Sequence, residues 1–351
     1  MRKLRLVVVG PGLVGTKHLQ LIASSDEAEI HSIVAPNHPD NKEVANAHNV
    51  PMYTSIEHCL HTGGVDGVII SSPNEFHFSQ ASICIQSGIP VLIEKPITVN
   101  SEEATALVSL AKKCSAKVLV GHHRVYSPLL KTARHVISSG MLGRIVSVIG
   151  SAQFFKPMQY FKDGPWRAQP GGGPLLINMI HEVGNLRALI GEITAVQAIA
   201  SSRIRNFAVE DTVAINLMFN NGALGTFLLS DSAACAKSWE QTSQENPRFP
   251  SYGDEDCYTV TGTGGTLSIP TMRIKTYPKH VDPSWWAPFE QHTLDVARLD
   301  PLGSQLQHFL RVIREEEIPL VSAEEGYKNL KAIEAIREAI ETRALVEIRV
   351  E

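Results

Sequence analysis

The chain has 351 residues, of which 43% are hydrophobic and 19% charged, and its formal net charge is −4. This length gives room for about two domains, and the composition is typical of a soluble globular protein. The acidic balance does not favour a nucleic-acid partner, and no stretch approaches the about 18 apolar residues that would span a membrane. The apolar run near the N-terminus is too short for a signal peptide, and the scattered cysteines form no paired motif. We therefore expect a cytoplasmic protein with reduced thiols.

A glycine turn between the first predicted strand and helix is the first feature with chemical meaning. Gly10, Gly12 and Gly15 form a GxGxxG pattern there. In dinucleotide-binding proteins the first glycine allows the tight turn, the second lets the backbone approach a pyrophosphate, and the third lets helix and strand pack closely. Backbone N–H groups at the helix start also favour an anion. The stretch predicts a dinucleotide site that includes Leu13 and Val14, although an ordinary tight turn would also use glycine.

The first 123 residues alternate short apolar strands with helices. Repeated β-α-β order predicts a parallel sheet that is covered by helices on both faces. Ser101 is predicted to cap one helix, and Gly88 is predicted to end another. The predicted strands are Leu4–Val9, 29–35, 67–71, 90–93 and 117–120. The predicted helices are 13–24, 41–49, 55–61, 75–87 and 101–115.

The end of the second predicted strand bears on the choice of cofactor. In this architecture an acidic residue about 20 positions past the glycines binds the ribose 2′-hydroxyl of NAD. Ala35 or Pro36 stands at that position, so no carboxylate would repel a 2′-phosphate. Asn37, His38 and Lys42 are available to contact one. We therefore predict NAD(P) binding with a preference for NADP, the alternative being a turn that makes no ribose contact.

Two loops follow predicted strands on the sheet edge where ligands bind in this architecture. One is SSPNEFH at 71–77, and the other ends in Glu94-Lys95-Pro96. Partial burial lowers the pKa of a lysine toward the range that is useful in acid–base chemistry. Lys95 is therefore a candidate proton-transfer group. A plain ion pair between Lys95 and Glu94 is the alternative.

After residue 127 the pattern changes to a helix, a series of strands and two C-terminal helices. Asn220-Asn221-Gly222 and Thr263-Gly264 are turn signals between consecutive strands, which predicts antiparallel pairing. The polar segment 236–254 and the proline-rich segment 278–289 are predicted to be long loops. The predicted strands are 145–155, 195–203, Thr212–Phe219, 223–230, 256–262, 265–270 and 345–350. The predicted helices are 128–139, 174–190, 301–316 and 322–342.

Five motifs occur in a fixed order along about half of the chain: GPGLVGTKH (10–18), SSPNEFH (71–77), GIPVLIEKP (88–96), GHHRVYSP (121–128) and WRAQPGGGPLL (166–176). A histidine, His181, follows the last of them. In this order they resemble the glucose-fructose oxidoreductase, inositol dehydrogenase and MocA (Gfo/Idh/MocA) family. The glycine turn combined with Glu94-Lys95-Pro96 after a strand is the strongest pair, because the order of motifs is more specific than any single one.

The resemblance implies an α/β protein with an N-terminal Rossmann domain over 1–123. It implies a C-terminal α/β domain over 124–351, with a large, open, mostly antiparallel sheet that serves substrate binding and oligomerisation. It also implies a nicotinamide cofactor whose ring lies at the domain boundary, and a catalytic lysine at Lys95. Besides the glycine turn, the expected cofactor contacts are Asn37, His38, Ser72, Pro73, Asn74, His77, Glu94, Lys95 and His123. The expected substrate contacts are Lys95, Arg124, Tyr126, Trp166, Arg167, Asn178 and His181.

One departure from the family pattern concerns the helix that carries His181. The family usually places an aspartate four residues before this histidine, on the same helix face, and often a second acid three residues after it. Here those positions hold Ile177 and Gly184. Asn178 lies within one turn of His181 and can hydrogen-bond a hydroxyl, but it cannot act as a base. Glu182 points about 100° away on an α-helix, so it is a poor substitute.

We hypothesise an NAD(P)-dependent dehydrogenase or reductase that transfers a hydride between nicotinamide and a CH–OH carbon of a sugar, polyol or similar small molecule. Lys95 and His181 would manage the proton, and Asn178 would orient the substrate. The alternatives are a cyclic diol, a carboxylated ring or an imine as substrate, or a non-catalytic regulator that senses the dinucleotide. An open sheet with one uncovered face favours a homo-oligomer, a dimer or tetramer. No metal is predicted, since His58-Cys59-Leu60-His61 and His122-His123 lack matching ligands at the usual spacing.

Overall fold

The computed structural model describes residues 2–349. By its contacts the chain divides into two compact units: the first is Met1–His123 with Leu302–Leu330, and the second is Arg124–Pro301 with Lys331–Glu351. The chain thus changes unit after His123, but the prediction that all of 124–351 forms the second domain is wrong. The reason is hydrophobic burial, because Leu306, Phe309 and Leu310 of a C-terminal helix lie in the core of the first unit.

The first unit alternates strands with helices, as its sequence predicts. Its elements up to His123 are β1 (Leu4–Val9), α1 (Leu13–Ala23), β2 (Ala28–Val34), α2 (Pro39–Ala47), β3 (Met52–Tyr53), α3 (Ile56–His61), β4 (Gly67–Ile70), α4 (His77–Gln86), β5 (Val91–Ile93), α5 (Ser101–Lys113) and β6 (Val118–Val120). The two-residue strand β3 is absent from the prediction, because so short a segment carries no periodic pattern. Asn100, rather than Ser101, caps α5: its side chain accepts a hydrogen bond from the Glu103 amide at 2.9 Å.

The six strands of the first unit form one sheet in the order β3-β2-β1-β4-β5-β6, and neighbouring strands are parallel. The order reverses between β1 and β4. In such sheets the loops at the carboxyl ends of the strands form a ligand-binding crevice beside the reversal. The predicted Rossmann fold is confirmed, and the turns after β1, β4 and β5 share one edge of the sheet.

The second unit begins with a helix and continues with a large sheet. Its elements, with the two C-terminal helices, are α6 (Pro128–Ser138), β7 (Ile145–Gln153), α7 (Met158–Lys162), α8 (Ile180–Leu189), β8 (Ile193–Ser201), β9 (Thr212–Phe219), β10 (Leu224–Ser230), α9 (Trp239–Thr242), β11 (Tyr258–Gly262), β12 (Gly265–Ile269), β13 (Arg273–Thr276), β14 (Glu290–Thr293), α10 (Pro301–Ile313), α11 (Ala323–Thr342) and β15 (Val346–Glu347). The predicted strand 345–350 is observed only as β15, and position 350 lies outside the described residues.

The nine-stranded sheet of the second unit has the order β14-β13-β12-β11-β7-β10-β9-β8-β15. Its described strand pairs are antiparallel except for β7 with β10. The predicted open, mostly antiparallel sheet is therefore confirmed. The predicted hairpin turn at Asn220-Asn221-Gly222 is also observed, with Gly222 at φ 85°, a left-handed conformation that favours glycine.

Two predicted loops of the second unit differ in character. Segment 236–254 contains the short helix α9, and Trp239 and Glu245 are buried, so it packs as part of the unit rather than lying free as a long loop. In segment 278–289, by contrast, Trp285 and Trp286 are more than four-fifths exposed. Within residues 2–349, no helix is long and apolar enough to cross a membrane.

Candidate active site

The glycine turn after β1 has the geometry that close packing requires. Gly10 has a φ of 80°, and a Cβ there would lie 2.7 Å from the backbone of Ser72. A Cβ on Gly15 would collide with the carbonyl oxygen of Gly10 and lie 2.7 Å from the hydroxyl of Ser71. The Ser71 hydroxyl also hydrogen-bonds the Val9 and Gly10 carbonyls, at 2.9 and 2.8 Å. The turns after β1 and β4 are therefore locked together.

The start of α1 fits an anionic cofactor. No atom lies within 4 Å of the place where a Cβ on Gly12 would stand, so the backbone there is open to a ligand. Gly12 caps α1 without a side-chain hydrogen bond, and the first turn contains no acidic residue. Leu13 and Val14 are exposed beside it. Uncapped N–H groups and the helix dipole together favour a pyrophosphate at this position. These residues therefore fit the predicted dinucleotide.

The end of β2 lies on the same edge of the sheet and carries no acid. Ala35 is buried, and the next residues, including Asn37 and His38, are exposed. His38 caps α2 through its ring, with Nδ1 accepting from the Asp40 amide at 3.4 Å. The structure therefore places both predicted ribose-contacting residues at the sheet edge, in front of a second helix start.

The predicted cofactor residues of the loop after β4 differ in burial. Ser72, Pro73 and Asn74 are half-buried or exposed at the sheet edge. His77, in contrast, is buried: its Nδ1 lies 2.8 Å from the Pro96 carbonyl and its Nε2 lies 2.9 Å from the Ser72 carbonyl. Burial lowers the pKa of His77 despite these two hydrogen bonds. The ring of His77 thus ties the loop after β4 to the loop after β5, and its contact with the cofactor stays a prediction.

A buried ion pair stands beneath the candidate lysine. The Glu94 carboxylate lies 2.8 Å from Nε2 of His18, which is on α1, and both side chains are almost fully buried. Burial alone would raise the pKa of Glu94, but the hydrogen bond from His18 and the nearby positive charges outweigh it, so the pKa is lowered. Glu94 is therefore anchored by His18, and its contact with the cofactor stays a prediction. His18 is the last residue of the motif GPGLVGTKH. It is 76 residues from Glu94 in the chain, so their contact cannot be recognised in the sequence.

Lys95 itself is half-buried and directly follows this anchored glutamate, at the carboxyl edge of the sheet. His123 is also half-buried, and its charge, like that of Lys95, acts on the Glu94 carboxylate. The space around the Glu94 carboxylate is tight, since a Cβ on Gly121 would lie 2.9 Å from it. The structure thus gathers the glycine turn, the Glu94-Lys95-Pro96 loop and the loop after β6 at one edge of the first unit.

In the second unit, the helix that carries His181 begins with an unusual turn. Leu175–Met179 is π-helical and leads directly into α8. π-helical turns are rare and are frequent at functional sites. Ile177 and Asn178 are half-buried on this turn, and His181 is buried at the start of α8. A π-helical turn changes the direction of side chains relative to a regular α-helix, so Ile177 does not lie on the face of His181 that a spacing of four residues predicts for an α-helix.

Lys156 is a functional candidate that was not predicted from the sequence. Its ammonium donates to Oδ1 of Asn178 at 2.7 Å and lies 3.7 Å from a carboxylate oxygen of Asp231. It also lies 4.9 Å from the ring centroid of Tyr160. The only sequence signal is its position just after β7, because strand ends commonly carry functional groups. The contact with Asn178 ties this lysine to the π-helical turn.

Arg167 lies against the same tyrosine and also near Trp166. Cζ of Arg167 is 4.0 Å from the ring centroid of Tyr160 and 5.7 Å from that of Trp166. Trp166 is about half exposed, at 53%. The structure therefore places Arg167 and Lys156 against the ring of Tyr160 and Asn178 against Lys156, and Arg167 and Asn178 are predicted substrate contacts.

Arg124 is buried in a network of charged side chains, and its contact with substrate stays a prediction. Its guanidinium is buried and forms ion pairs with Glu182, at 2.6 Å, and with Glu240. Burial lowers the pKa of Arg124, but the charges of the two glutamates raise it further, so the net shift is upward. Glu182 also accepts a hydrogen bond from the Tyr258 hydroxyl. This buried network stabilises α8, and the sequence could not show it because its members lie far apart along the chain. Tyr126, also predicted to contact substrate, is half-buried at the end of a 3-10 turn, His123–Tyr126.

The parallel sheet with its glycine turn and lysine loop defines a nucleotide-binding oxidoreductase fold. Models of one family match the two parts of the chain: residues 4–122 match the oxidoreductase family with an NAD-binding Rossmann fold, and 130–268 match the GFO/IDH/MocA C-terminal domain. The chain belongs to the Gfo/Idh/MocA family of NAD(P)-binding oxidoreductases. This membership confirms the predicted resemblance and the nicotinamide cofactor class.

Three known proteins illustrate the similarity. The rhizopine catabolism protein MocA of Rhizobium meliloti is 29% identical over 58% of this chain, an alignment that spans only 62% of the length of MocA. D-xylose 1-dehydrogenase (NADP(+)) 2 of Haloferax volcanii is 25% identical over 97% of this chain and 98% of its own. The structure of the WlbA dehydrogenase from Bordetella pertussis with NADH and UDP-GlcNAcA is 21% identical, covers all of both chains and has a TM-score of 0.80. At this identity the structural similarity supports the fold alone.

Proposed function

We propose that this protein is an NAD(P)-dependent dehydrogenase or reductase that acts on a CH–OH group of a sugar, polyol or related hydroxylated compound. One observation carries the proposal. Lys95 stands at the same sheet edge as the open glycine turn, and the buried Glu94–His18 pair holds the backbone just before it. Family membership and the names of the relatives, which include inositol, xylose and anhydrofructose enzymes, support the same class.

The reaction assigns a separate task to each group. The bound nicotinamide supplies the hydride acceptor or donor, and Gly12 with the N–H groups at the start of α1 would hold its pyrophosphate. In oxidation His181 takes the hydroxyl proton, and the Lys95 ammonium stabilises the negative charge that develops on oxygen. Asn178 orients the substrate by donating from Nδ2, since its Oδ1 accepts from Lys156. In reduction the same groups return the proton to the carbonyl oxygen.

We further propose a preference for NADP over NAD. The support is the end of β2, where Ala35 and Pro36 replace the usual acid and the exposed Asn37 and His38 stand before α2. Fluorescence titration with NADH and NADPH tests this preference directly. NADPH is expected to bind more tightly, and equal or tighter binding of NADH contradicts it.

The decisive test of the enzymatic proposal is Lys95→Ala. Removing an oxyanion donor and proton-transfer group should lower turnover at least about 10³-fold, in a screen of sugars, polyols and cyclic diols. The affinity for NAD(P)H should change less than about threefold, because the glycine turn is untouched. Lys113→Ala, at an exposed position of α5, is the matched control and should keep wild-type turnover.

Two outcomes would contradict the enzymatic proposal. Near-normal turnover in Lys95→Ala would remove Lys95 from the mechanism. Tight NAD(P)H binding by the wild type, with no turnover across the screen, would favour a non-catalytic protein that senses the dinucleotide.

We also propose a homo-oligomer that forms through the nine-stranded sheet. One face of that sheet exposes apolar side chains, among them Ile149, Ile199 and Leu228 at 63%, 69% and 39%. Such a patch favours burial against a second copy. Light scattering coupled to size-exclusion chromatography should give a dimer or tetramer, and a monomer at micromolar concentration contradicts the proposal.

We also propose that the protein is located in a reducing compartment, the cytoplasm. All five cysteines are free thiols, which supports this proposal, and cell fractionation tests it.

A further inference from the structure

The second unit presents two cationic side chains against Tyr160 and an amide against one of them, and we propose that these donors bind a carboxylate carried by the substrate. The donors are Lys156, Arg167 and Asn178, and we call them the donor cluster. The inference rests on the proposed function and deepens it, because it names the substrate class: a sugar acid or another hydroxylated carboxylate.

Two positive charges face a single aromatic ring. Nζ of Lys156 lies 4.9 Å and Cζ of Arg167 lies 4.0 Å from the ring centroid of Tyr160. Cation–π contacts hold both charges in place, yet a ring does not neutralise them. The Lys156 side chain is only 12% exposed, so its charge acts in a poorly hydrated environment, where attraction to an anion is strengthened.

The guanidinium of Arg167 is held in place by a backbone carbonyl and not by a counter-ion. Its Nη1 donates to the carbonyl oxygen of Tyr160 at 2.5 Å. The absence of a side chain at Gly164 makes room for it, since a Cβ there would lie 2.8 Å from Cζ. Arg167 forms no ion pair with any carboxylate of residues 2–349, and its buried Nε has no hydrogen-bond partner in that range. A fixed guanidinium in this state is suited to a carboxylate, which it can bind through two parallel hydrogen bonds.

The side-chain amide of Asn178 is fixed with its donor available. An ammonium group has donors only, so the amide atom 2.7 Å from Lys156 must be Oδ1. Nδ2 therefore carries the remaining hydrogen-bonding capacity of this side chain, and it donates to none of the residues that the structure describes. Every member of the donor cluster thus offers N–H groups, whereas a neutral hydroxyl ligand would be matched by a mixture of donors and acceptors.

The nearest acid does not cancel the charge of the cluster. Asp231 lies 3.7 Å from Nζ of Lys156, but its closer partner is Nε of Arg205, at 2.7 Å. Asp211 also acts on Asp231, so two carboxylates stand against Lys156 and Arg205, whereas Arg167 has no ion pair within residues 2–349. The charge of Arg167 therefore favours an anionic group on the substrate.

The test compares an acid with its neutral ester. Titration calorimetry, in the presence of saturating NADH or NADPH, measures binding of D-glucuronate and D-galacturonate and of the methyl ester of each. The two members of a pair differ only at one group, which is a charged carboxylate in the acid and an uncharged methyl ester in the other. For at least one pair we expect the wild type to bind the acid at least about tenfold more tightly, since charge-assisted hydrogen bonds are about twice as strong as neutral ones.

Variants link that preference to the donor cluster. Arg167→Gln should reduce the preference for the acid below about threefold, and Lys156→Met, a second variant in case the first does not fold, should act in the same direction. Arg203→Gln, at an exposed position after β8, is the matched control and should keep the preference. Circular dichroism verifies that each variant is folded.

Three results would overturn the inference: neither acid binds, the acids and esters bind equally, or the preference survives in both variants. Tighter binding of D-glucose 6-phosphate than of either acid would overturn the choice of a carboxylate. These failures differ from failure of the proposed function. Turnover of neutral polyols with NAD(P) would leave that function intact, whereas loss of all NADH and NADPH binding by the wild type would remove it.

Discussion

His18→Ala tests the buried ion pair beneath the candidate catalytic lysine. The substitution leaves the Glu94 carboxylate in a site where its side chain is 9% exposed, without the imidazole that lies 2.8 Å away. Removing one partner of a buried pair costs about 3–5 kcal/mol, because the remaining charge is not compensated. The Lys95 amide also donates to this carboxylate, at a long 3.4 Å. We therefore expect a loss of about 3 kcal/mol in the free energy of unfolding near neutral pH.

The pH dependence of this loss has a defined sign. The folded-state pKa of Glu94 lies below its ordinary value of 4.5, so its contribution to stability is present above that value and is lost as pH falls through the folded pKa. The difference between wild type and variant should therefore be full at about pH 7 and shrink below about pH 4.5. Urea denaturation followed by circular dichroism measures it at both pH values.

Two further variants separate the ion pair from simple loss of packing. His58→Ala, at an exposed position of α3, should change stability by no more than about 0.5 kcal/mol. Adding Glu94→Gln to His18→Ala removes the unpaired charge and should recover about 1 kcal/mol or more. Equal stability of His18→Ala and His58→Ala, or the same loss of stability at both pH values, would refute a stabilising ion pair between His18 and Glu94.

Three other substitutions address the glycine turn and the buried network of the second unit. Gly12→Glu should leave the free energy of unfolding within about 1 kcal/mol, since no atom lies within 4 Å of the new Cβ, yet lower NAD(P)H affinity at least about tenfold in a fluorescence titration; unchanged affinity contradicts the placement of the pyrophosphate. Gly15→Ala should cost about 2–3 kcal/mol in urea denaturation because its Cβ meets the Gly10 carbonyl, and wild-type stability would show that α1 can shift freely. Arg124→Ala should cost about 3–5 kcal/mol, because it leaves Glu182 buried without its cation; a small loss would show that water reaches the carboxylate.

Elements whose signals are local could be predicted closely from the sequence. β1 and β9 have the predicted bounds, and the other predicted strands up to β12 are found with ends that differ by a few residues. Apolar runs, glycine turns and capping residues involve residues that are close together in the sequence, so these signals can be recognised without knowing the fold. The strands β13 and β14 were missed, because each has only four residues and Ile274 is the one buried residue among them, so neither carries a recognisable apolar pattern.

The candidate site could be predicted only in part, for the same reason. Lys95 was found because a strand and a proline enclose it, but nothing near Phe154 or Phe155 marks Lys156 as the partner of Asn178. Arg124 was assigned to substrate because of its neighbours in the chain, whereas its contact with Glu182 spans 58 residues. Sequence patterns identify residue types and spacings, but they do not show which polar side chain another will meet.

The sequence by itself determined the family, the Rossmann order of strands and helices, the glycine turn and the lysine loop, because each depends on a local pattern. Only the tertiary structure decided that α10 joins the first unit, that His77 and Glu94 hold loops together, and that Arg167 stands against Tyr160 without a carboxylate. These outcomes depend on burial. A buried charge or ring nitrogen must find a partner wherever the fold provides one, and that partner is commonly distant in the chain.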